Sequence, residues 1–372
     1  MYVSELILQN FRSYESLKVS LNNGRISFVG SNGQGKTNLV EAIDYVATLS
    51  SHRVSSDIPL IRQGADYAQI KTTVVKNERK ATLEVDIMSK GSNKVRVNGA
   101  NLPRPREIIG ILRTVVFSPD DLELVKGDPA KRRQFLDNLL VLQIPRLAGV
   151  KADYEKVVKQ RNALLKTARL SKKTDLSTLD IWDEQLSNYG AQLMIARIKL
   201  LNNLLPFLTK SYAEVASLSG NNRQNTTAQY ATKIDIENPT EETIKSNLLS
   251  LIEQRRDEEL VRGISLVGPH RDDVDFQLGD LPVKGYSSHG ETWSYALAVR
   301  LAAFELLRQD GDDPVLILDD VFAELDRDRR SQLAELVNGI EQVITTTAVS
   351  DDVPAGFADA TFMVNQGTVK AL

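Results

Sequence analysis

A glycine-rich run near the start of the chain restricts the possible folds more than any other feature. Residues 30–37 read Gly-Ser-Asn-Gly-Gln-Gly-Lys-Thr and match the pattern G-x-x-x-x-G-K-[ST]. A predicted strand ends at residues 26–29, and Thr37 to Leu49 repeats apolar residues at helical spacing. A strand, this loop and a helix in that order indicate an α/β fold with a phosphate-binding loop.

The loop has the composition that phosphate binding requires. Glycines let consecutive backbone N–H groups turn inward, and a helix that begins near Lys36 adds the positive end of its dipole. Lys36 would reach the β- and γ-phosphates and act in catalysis, and the Thr37 hydroxyl would bind Mg²⁺. We therefore predict that ATP is bound by Gly30, Ser31, Asn32, Gly33, Gln34, Gly35, Lys36, Thr37 and Asn38.

An acidic pair late in the chain completes the predicted site. Val315 to Leu318 are four apolar residues, and Asp319 and Asp320 follow them directly. A phosphate-binding loop needs an acid on a neighbouring strand to hold magnesium, and Asp319 is placed for that role. Asp320 would act as the general base for the attacking water.

The order of predicted elements divides the chain into two lobes. Strands are predicted at 2–8, 26–29, 67–97 (a meander), 114–117, 278–283, 315–318 and 342–346, and helices near 241–259, 291–308 and 327–338. Residues 130–215 contain almost no glycine and read as helical, and 217–240 reads as an irregular connection. We therefore expect an ATP-binding α/β lobe of 1–125 and 260–372, with a helical lobe of 126–259 inserted.

Composition excludes several classes of protein. The chain has no cysteine, so neither disulfides nor thiolate metal sites are possible. No apolar run is long enough to span a membrane and no signal peptide is visible, so we expect a cytoplasmic protein. The net charge is −3, but residues 130–174 hold twelve basic and three acidic residues. Such a basic segment indicates either anion binding or an ordinary solvated helix surface.

Two short runs resemble loops of the ATP-binding-cassette ATPases. Residues 287–291, Ser-Ser-His-Gly-Glu, resemble the signature loop L-S-G-G-Q at the start of a long predicted helix. Residues 323–326, Ala-Glu-Leu-Asp, resemble the D-loop. In such ATPases the signature helix contacts a nucleotide held by a second subunit, so Ser288, Gly290 and Asp326 would complete a site in trans.

Longer blocks narrow the resemblance to the RecF family of SMC-like ATPases. They are residues 10–14 (Asn-Phe-Arg-Ser-Tyr), the phosphate-binding loop, 117–122, 127–137, 268–273 (Gly-Pro-His-Arg-Asp-Asp), the signature loop and 318–326. They stand in family order and cover essentially the whole chain. The resemblance implies an ABC-type P-loop ATPase head, a mixed-sheet lobe with an inserted α-helical lobe.

The same resemblance implies a role in recombinational repair and replication restart. ATP would drive homodimerisation on double-stranded or gapped DNA, and slow hydrolysis, weakly stimulated by DNA, would release it. RecR and RecO would be partners in loading recombinase, and no membrane would be involved. Arg12 and Ser13 would lie beside the nucleotide. The residues expected to contact DNA are Arg53, Lys131, Arg132 and Arg133, although Arg53 also reads as a solvated surface residue and 131–133 as a link between lobes.

Three departures from the cassette pattern predict slow turnover. The usual catalytic Glu is Asp320, and the usual switch His is absent, because the late strand ends in three threonines, residues 345–347. A threonine would contact the γ-phosphate there without the chemistry of an imidazole. No Q-loop Gln is identifiable at 118–121, and Gln63 is a weaker candidate. His270 and Arg271, in a Gly-Pro turn, read as nucleotide-site or interface residues.

Two other functions fit parts of the sequence. A transporter ATPase subunit would have the switch His and an acidic or apolar inserted lobe. A structural SMC head would need hundreds of heptad residues, whereas only 130 residues separate Ala130 from Glu259, with no sustained heptads.

Overall fold

The computed structural model describes residues 1–54, 56–171, 175–216, 225–309 and 311–372. The chain forms two compact units. The first comprises Met1–Leu122, Phe207–Gln224 and Ser288–Leu372, and the second comprises Glu123–Pro206 and Asn225–Ser287. Within the described ranges, no helix combines the length and apolarity that crossing a membrane requires.

The strands, in chain order, are β1 Tyr2–Phe11, β2 Tyr14–Ser20, β3 Gly24–Val29, β4 Tyr67–Lys76, β5 Arg79–Met88, β6 Lys94–Val97, β7 Ala100–Asn101, β8 Thr114–Phe117, β9 Thr226–Ala231, β10 Asp273–Leu278, β11 Leu281–Pro282, β12 Val315–Asp319, β13 Gln342–Thr347, β14 Ala360–Asn365 and β15 Thr368–Ala371. The helices are α1 Lys36–Thr48, α2 Leu122–Lys126, α3 Pro129–Gln143, α4 Leu147–Leu170, α5 Leu179–Ala216, α6 Glu241–Arg262, the short turn α7 Val283–Tyr286, α8 His289–Arg308 and α9 Arg327–Leu336.

A mixed six-stranded sheet forms the centre of the first unit. Its order is β15-β14-β3-β13-β12-β8, and only β15 is antiparallel to its neighbour. Every residue of β8, β12 and β13 is buried, as expected for parallel strands covered on both faces. Because parallel strands end at one edge, the segments after β3, β12 and β13 meet there.

A second sheet in the first unit is antiparallel and has the order β2-β1-β4-β5-β6-β7. Buried and partly exposed residues alternate along β4, which indicates one covered face. The β1–β2 turn carries Asn10 and Arg12 with φ of 50° and 52°. This left-handed backbone is uncommon outside glycine, and it brings the Arg12 side chain toward α1.

The second unit joins helices to a small sheet, β11-β10-β9. Its interior contains a charged cluster around Arg161, whose side chain has no exposed surface. The Arg161 guanidinium donates to Asp183 at 2.6 Å, to Glu259 at 2.6 Å and to Ser265 at 2.9 Å. The cluster ties α4, α5 and α6 together through a charge that is fully paired away from water.

The structure confirms the predicted class, a mixed-sheet head with a largely helical second unit, and differs in detail. The second unit contains β9 within the predicted connection 217–240, of which 217–224 lie outside the described residues. The predicted strand 278–283 divides into the end of β10, β11 and the start of α7. Residues 260–287 group with the second unit because β10 pairs with β9, so the observed units depart from the predicted 126–259 boundaries.

We predict that Arg161→Ala lowers the free energy of unfolding by about 3–5 kcal/mol, because it leaves the buried Glu259 without its arginine and Asp183 with Arg256 alone. Urea unfolding followed by circular dichroism measures this loss. Arg255→Ala on α6 is the matched control, since its 49% exposed side chain pairs with Glu258 at the surface and should contribute under about 1 kcal/mol. Equal losses in the two variants would contradict the prediction.

Candidate nucleotide-binding site

The loop between β3 and α1 is shaped by two glycines. A Cβ on Gly30 would lie 2.2 Å from the Val364 carbonyl oxygen, so the strand β14 passes too close for any side chain. Gly35 has a φ of 106°, and a Cβ there would come within 2.9 Å of Ser13 and Tyr14. Both positions therefore require glycine, and the loop has little freedom to adopt another path.

Lys36 is buried at the first turn of α1, with 3% of its surface exposed. Its ammonium lies 3.5 Å from the Ser31 carbonyl and 3.5 Å from the Asn32 side-chain oxygen. Both partners are neutral and both distances are long for hydrogen bonds. The positive charge is thus held over the loop with no carboxylate partner from the residues that the structure describes, where a phosphate oxygen would be the stronger acceptor.

The rest of the loop is held from outside. The Gln34 side chain accepts from the Gln366 backbone N–H at 2.7 Å, and Ser31, Asn32 and Gly33 are exposed. Asn38 donates to the Ser13 hydroxyl at 3.0 Å, and Tyr14 donates to the Gly35 carbonyl at 3.1 Å. The turn after β1 therefore packs beside the loop, and the predicted place of Ser13 beside the nucleotide stays a prediction.

Thr37 and Asp319 meet although 282 positions separate them in the chain. The Thr37 hydroxyl donates to Asp319 Oδ1 at 3.1 Å, and the Thr346 hydroxyl donates to the same oxygen at 2.5 Å. Burial raises the pKa of Asp319 above its ordinary value, and the neighbouring Asp320 charge adds to this, whereas the bond from Thr346 opposes it. The carboxylate thus sits where a cation would relieve a real electrostatic penalty.

Asp320 has a left-handed backbone, with a φ of 53°. Its N–H donates to the Thr346 hydroxyl at 2.9 Å. Its Oδ1 atom is buried and accepts no hydrogen bond from the groups that the structure describes. An uncommon backbone together with an unsatisfied buried oxygen is typical of a functional site rather than of packing.

These oxygens fit magnesium better than a transition metal. Among the described residues, no cluster of three or more His, Cys, Asp or Glu side chains could hold a metal by itself. Magnesium is commonly bound by one or two protein oxygens together with substrate phosphates, and Thr37 with Asp319 offers such a pair. The donor set is therefore compatible with a cation that arrives with a nucleotide.

Sequence reasoning missed Glu41, which organises the arginines beside the loop. This side chain has no exposed surface and takes bonds from Arg12 at 2.9 and 2.7 Å and from Ser51 at 2.6 Å. Burial raises the pKa of Glu41, but the bonds from Arg12 and Ser51 and the charge of Arg53 outweigh it, so the pKa lies below its ordinary value. The signal was a charged residue on the apolar face of α1.

Arg53 also belongs to this cluster. Its guanidinium donates to Asn38 at 3.1 Å and lies 3.4 Å from Glu41. The side chain is 38% exposed, so it is fixed beside the loop rather than fully solvated. Its predicted contact with DNA stays a prediction.

His52 forms a second cluster that the sequence did not reveal. Its Nδ1 lies 3.4 Å from Asp44, and Thr114 donates to the other Asp44 oxygen at 2.7 Å. Burial lowers the pKa of His52, but the bond to Asp44 and the charges of Asp44, Glu41 and Asp319 raise it above its ordinary value.

Ser288, Gly290 and Asp326 lie at the starts of two helices. Ser288 caps α8 by accepting from the Glu291 N–H at 3.2 Å, and Glu291 accepts from the Ser288 N–H at 2.8 Å. Asp326 caps α9 through the Arg329 N–H, and a Cβ on Gly290 would lie 2.8 Å from the Arg329 guanidinium. Within the described ranges, none of the three bonds to the phosphate-binding loop.

One DNA-binding prediction needs correction. Arg132 is 4% exposed and pairs with Asp273 at 2.7 and 2.9 Å, so it cannot face DNA. Arg133 is half-buried and donates to the Asp272 carbonyl at 2.7 Å, and burial lowers its pKa. Lys131 is exposed on α3. The pattern of three adjacent bases concealed this difference because successive helix positions face different directions.

The Gly-Pro turn at 268–273 is also internal to the second unit. His270 Nδ1 lies 2.6 Å from the Tyr154 hydroxyl, and Arg271 donates to the Ser265 carbonyl at 3.0 and 2.8 Å. These contacts give both residues a structural role in this unit, and their predicted nucleotide-site or interface role stays a prediction. Burial, with the nearby Arg271 charge, lowers the pKa of His270 to about 4.

The three threonines at the end of β13 are each engaged. Thr345 donates to the Leu318 carbonyl at 3.2 Å, Thr346 to Asp319, and Thr347 to the Val349 carbonyl at 2.9 Å. Each of the three hydroxyl protons is thus directed at a protein acceptor, whereas the predicted contact needs one of them to turn to the γ-phosphate. Gln63, the weaker Q-loop candidate, is exposed in a turn.

Comparison with known proteins identifies the family. The model of the RecF/RecN/SMC N terminal domain matches residues 2–368. A protein of Nocardioides sp. named DNA replication and repair protein RecF is 50% identical, with 99% of each chain covered. The chain belongs to the RecF family. A RecF of Streptomyces avermitilis is 49% identical, with both chains fully covered.

Solved structures agree with this RecF assignment. The structure of the recombination mediator protein RecF-ATP in the RecFOR pathway matches with a TM-score of 0.90 and 30% identity, covering 100% of this chain and 97% of that one. The Smc head bound to the C-winged helix domain of ScpA matches with a TM-score of 0.55 and 17% identity. The second comparison shows only that this RecF-family chain shares its fold with Smc heads.

We predict that the histidines titrate far apart. His270 should lose its proton with a pKa of about 4 and be neutral at pH 6, because burial beside Arg271 disfavours the charged form. His52 should remain charged at a pH above its ordinary pKa, because Asp44 stabilises the imidazolium. Proton–carbon NMR titration measures both, and the single variants His52→Gln and His270→Gln assign the signals. A His270 midpoint above pH 6 would contradict this account.

Proposed function

We propose that this chain binds ATP and Mg²⁺ in the β3–α1 loop and uses hydrolysis as a switch in DNA repair. The observation that carries this proposal is the meeting of Thr37 and Asp319 beside Lys36, from opposite ends of the chain. The RecF-ATP relative, with a TM-score of 0.90, supports the choice of nucleotide.

The residues of the site divide the chemistry between them. Lys36 and the loop N–H groups, with Arg12, Ser13 and Asn38 beside them, bind and orient the phosphates. Mg²⁺ held by Thr37 and Asp319 would supply positive charge to the phosphate oxygens. Asp320 accepts the proton of the water that attacks the γ-phosphorus, and its buried Oδ1, unpartnered among the described groups, is available for this role.

The site is proposed to be completed by a second copy of the chain. Ser288 and Gly290 lie at the start of α8, a helix end whose positive dipole suits a phosphate, and Asp326 lies beside them at the start of α9. Since these residues make no bond to their own loop within the described ranges, we assign them to the nucleotide of the partner. ATP then drives homodimerisation, and slow hydrolysis releases it.

DNA is the proposed ligand of the second unit, and RecR and RecO are the proposed protein partners. Lys131 on α3 and Lys156 and Lys159 on α4 are exposed basic residues of the second unit. Contacts from lysine to phosphate give affinity without sequence choice, which suits a protein that works on double-stranded or gapped DNA. The pathway named for the RecF relative, RecFOR, supports the two partners in assisting recombinase loading.

We predict that Lys36→Ala and Ser288→Ala separate nucleotide binding from dimerisation. Lys36→Ala should abolish ATP binding because it removes the cation that the loop holds for phosphate. Ser288→Ala should keep ATP binding but lose the ATP-dependent dimer. Equilibrium binding of a fluorescent ATP analogue and analytical ultracentrifugation with and without ATP measure the two properties.

The matched control for Ser288 is Thr240→Ala. Thr240 caps α6 with the same reciprocal bonds. Removing its hydroxyl should therefore lower stability by about 1 kcal/mol, as for Ser288, while the signature loop stays intact. Normal dimerisation of Ser288→Ala would refute the assignment in trans, and loss of the dimer in both variants would attribute the effect to helix stability.

We predict that Lys131→Gln weakens binding to duplex DNA equally for different sequences. It should also reduce by about one the slope of log affinity against log salt concentration, as the loss of one phosphate contact requires. Fluorescence anisotropy over a salt series measures both quantities. Lys18→Gln is the control, since Lys18 is exposed on β2 of the first unit and pairs with Glu5. Unchanged affinity and slope for Lys131→Gln would remove α3 from the DNA surface.

A further inference from the structure

Thr346 lies between the two halves of the proposed site. The sheet order places β13 between β3, which leads into the phosphate-binding loop, and β12, which ends in the acids. In the register of these parallel strands, Thr346 stands opposite Asp319 on one side and Phe28 on the other. Its side chain is fully buried. The topology therefore fixes Thr346 beside the acids whatever the surrounding loops do.

Its hydroxyl uses both of its bonding functions on the acidic pair. It donates its only proton to Asp319 Oδ1 at 2.5 Å, and it accepts from the Asp320 N–H at 2.9 Å. The Asp320 N–H also faces the Thr346 carbonyl at 3.2 Å. A hydroxyl that donates to one group and accepts from the next has a fixed orientation, and it transmits that orientation to both.

The two bonds act on the features that a hydrolytic site needs to control. The bond to Asp319 restrains one carboxylate oxygen of the predicted metal ligand and leaves Oδ2 outside the reach of the two threonine donors. The bond to Asp320 supports a left-handed backbone, which is uncommon and costs energy at a residue other than glycine. Asp320 is thereby held in place while its buried Oδ1 accepts no hydrogen bond from the described groups.

The neighbouring threonines do not share this arrangement. Thr345 bonds to the Leu318 carbonyl, and Thr347 bonds to the Val349 carbonyl. Both are backbone partners of the kind that stabilise a strand end or a turn. Of these three threonines, only Thr346 donates to the Asp319 carboxylate, although the sequence by itself does not distinguish them.

We infer that Thr346 is a positioning residue for hydrolysis, which orients Asp319 for the cation and holds Asp320 for the water. This inference rests on the proposed function, since it assigns a role within the same site. It gives the switch position of this chain a purpose that needs no imidazole: the hydroxyl acts on the acids, and not on the nucleotide.

The test compares Thr346→Val, which has the same shape without the hydroxyl, with Thr346→Ser, which keeps it. Partners that orient a metal ligand typically contribute about 10- to 100-fold to metal affinity or activity. We expect Thr346→Val to lower kcat for ATP hydrolysis by about that factor and to raise the Mg²⁺ concentration for half-maximal rate, with little change in ATP affinity, because Lys36 and the loop are untouched. Thr346→Ser should restore most of the rate.

Thr345→Val is the matched control, because it removes a buried hydroxyl one residue away that bonds to backbone. Normal hydrolysis by Thr346→Val, or equal loss in Thr345→Val, would overturn the inference. If Thr346→Val does not fold, Thr346→Cys replaces it as a variant with a weak donor, and equal rates for Cys and Ser would overturn the inference. Failure of the proposed function has a different signature, in which wild type binds no ATP or Lys36→Ala binds it normally.

Discussion

The buried carboxylate of Asp319 is the point on which the site depends. Two hydroxyls, from Thr37 and Thr346, donate to the same oxygen, so the loop after β3, the end of β13 and the end of β12 are joined at one atom. Burial makes an isolated carboxylate unfavourable there, and its pKa is raised accordingly. The arrangement is stable as two hydrogen bonds and becomes more favourable when a cation is added, which is what a nucleotide-dependent switch requires.

The charged groups around the loop form two sets, which are Glu41 with its two arginines and the Lys36 ammonium. Glu41 pairs with both Arg12 and Arg53, so its single carboxylate offsets only one of the two arginine charges. Among the described residues, Lys36 contacts only neutral oxygens, so no carboxylate of that part of the chain neutralises its charge. A phosphate that enters would therefore meet the Lys36 ammonium, a row of N–H groups and the positive charge left over in the Glu41 cluster, whose arginines are fixed by the buried acid.

Much of the fold could be predicted because the decisive patterns are local. The run at 30–37 lies between β3 and α1 as expected, and the apolar residues before Asp319 form the buried strand β12. Strand β9 was missed, and the predicted strand 278–283 covered only the end of β10 and β11, because these strands are short and β9 pairs with β10 across about forty residues of sequence. Glu41 and His52 were missed for another reason, since their partners are brought near only by tertiary packing. For the same reason the sequence assigned a threonine of 345–347 to the γ-phosphate and did not foresee the bond from Thr346 to Asp319. Arg132 was predicted to contact DNA because it belongs to a basic run, but tertiary packing buries it and pairs it with Asp273.

The start of α8 bears on the proposed completion of the site by a second chain. In the isolated chain Ser288 is committed to the Glu291 N–H, and the Glu291 carboxylate covers the Ser288 N–H. This reciprocal cap stabilises the helix end but also places a negative charge where a phosphate from a second chain would arrive. Binding in trans then has to displace or tolerate that carboxylate, so a dimer formed this way gains less from each nucleotide than one with a neutral glutamine there. A contact of that kind would be readily reversible, and the slow hydrolysis proposed for Asp320 would be enough to end it.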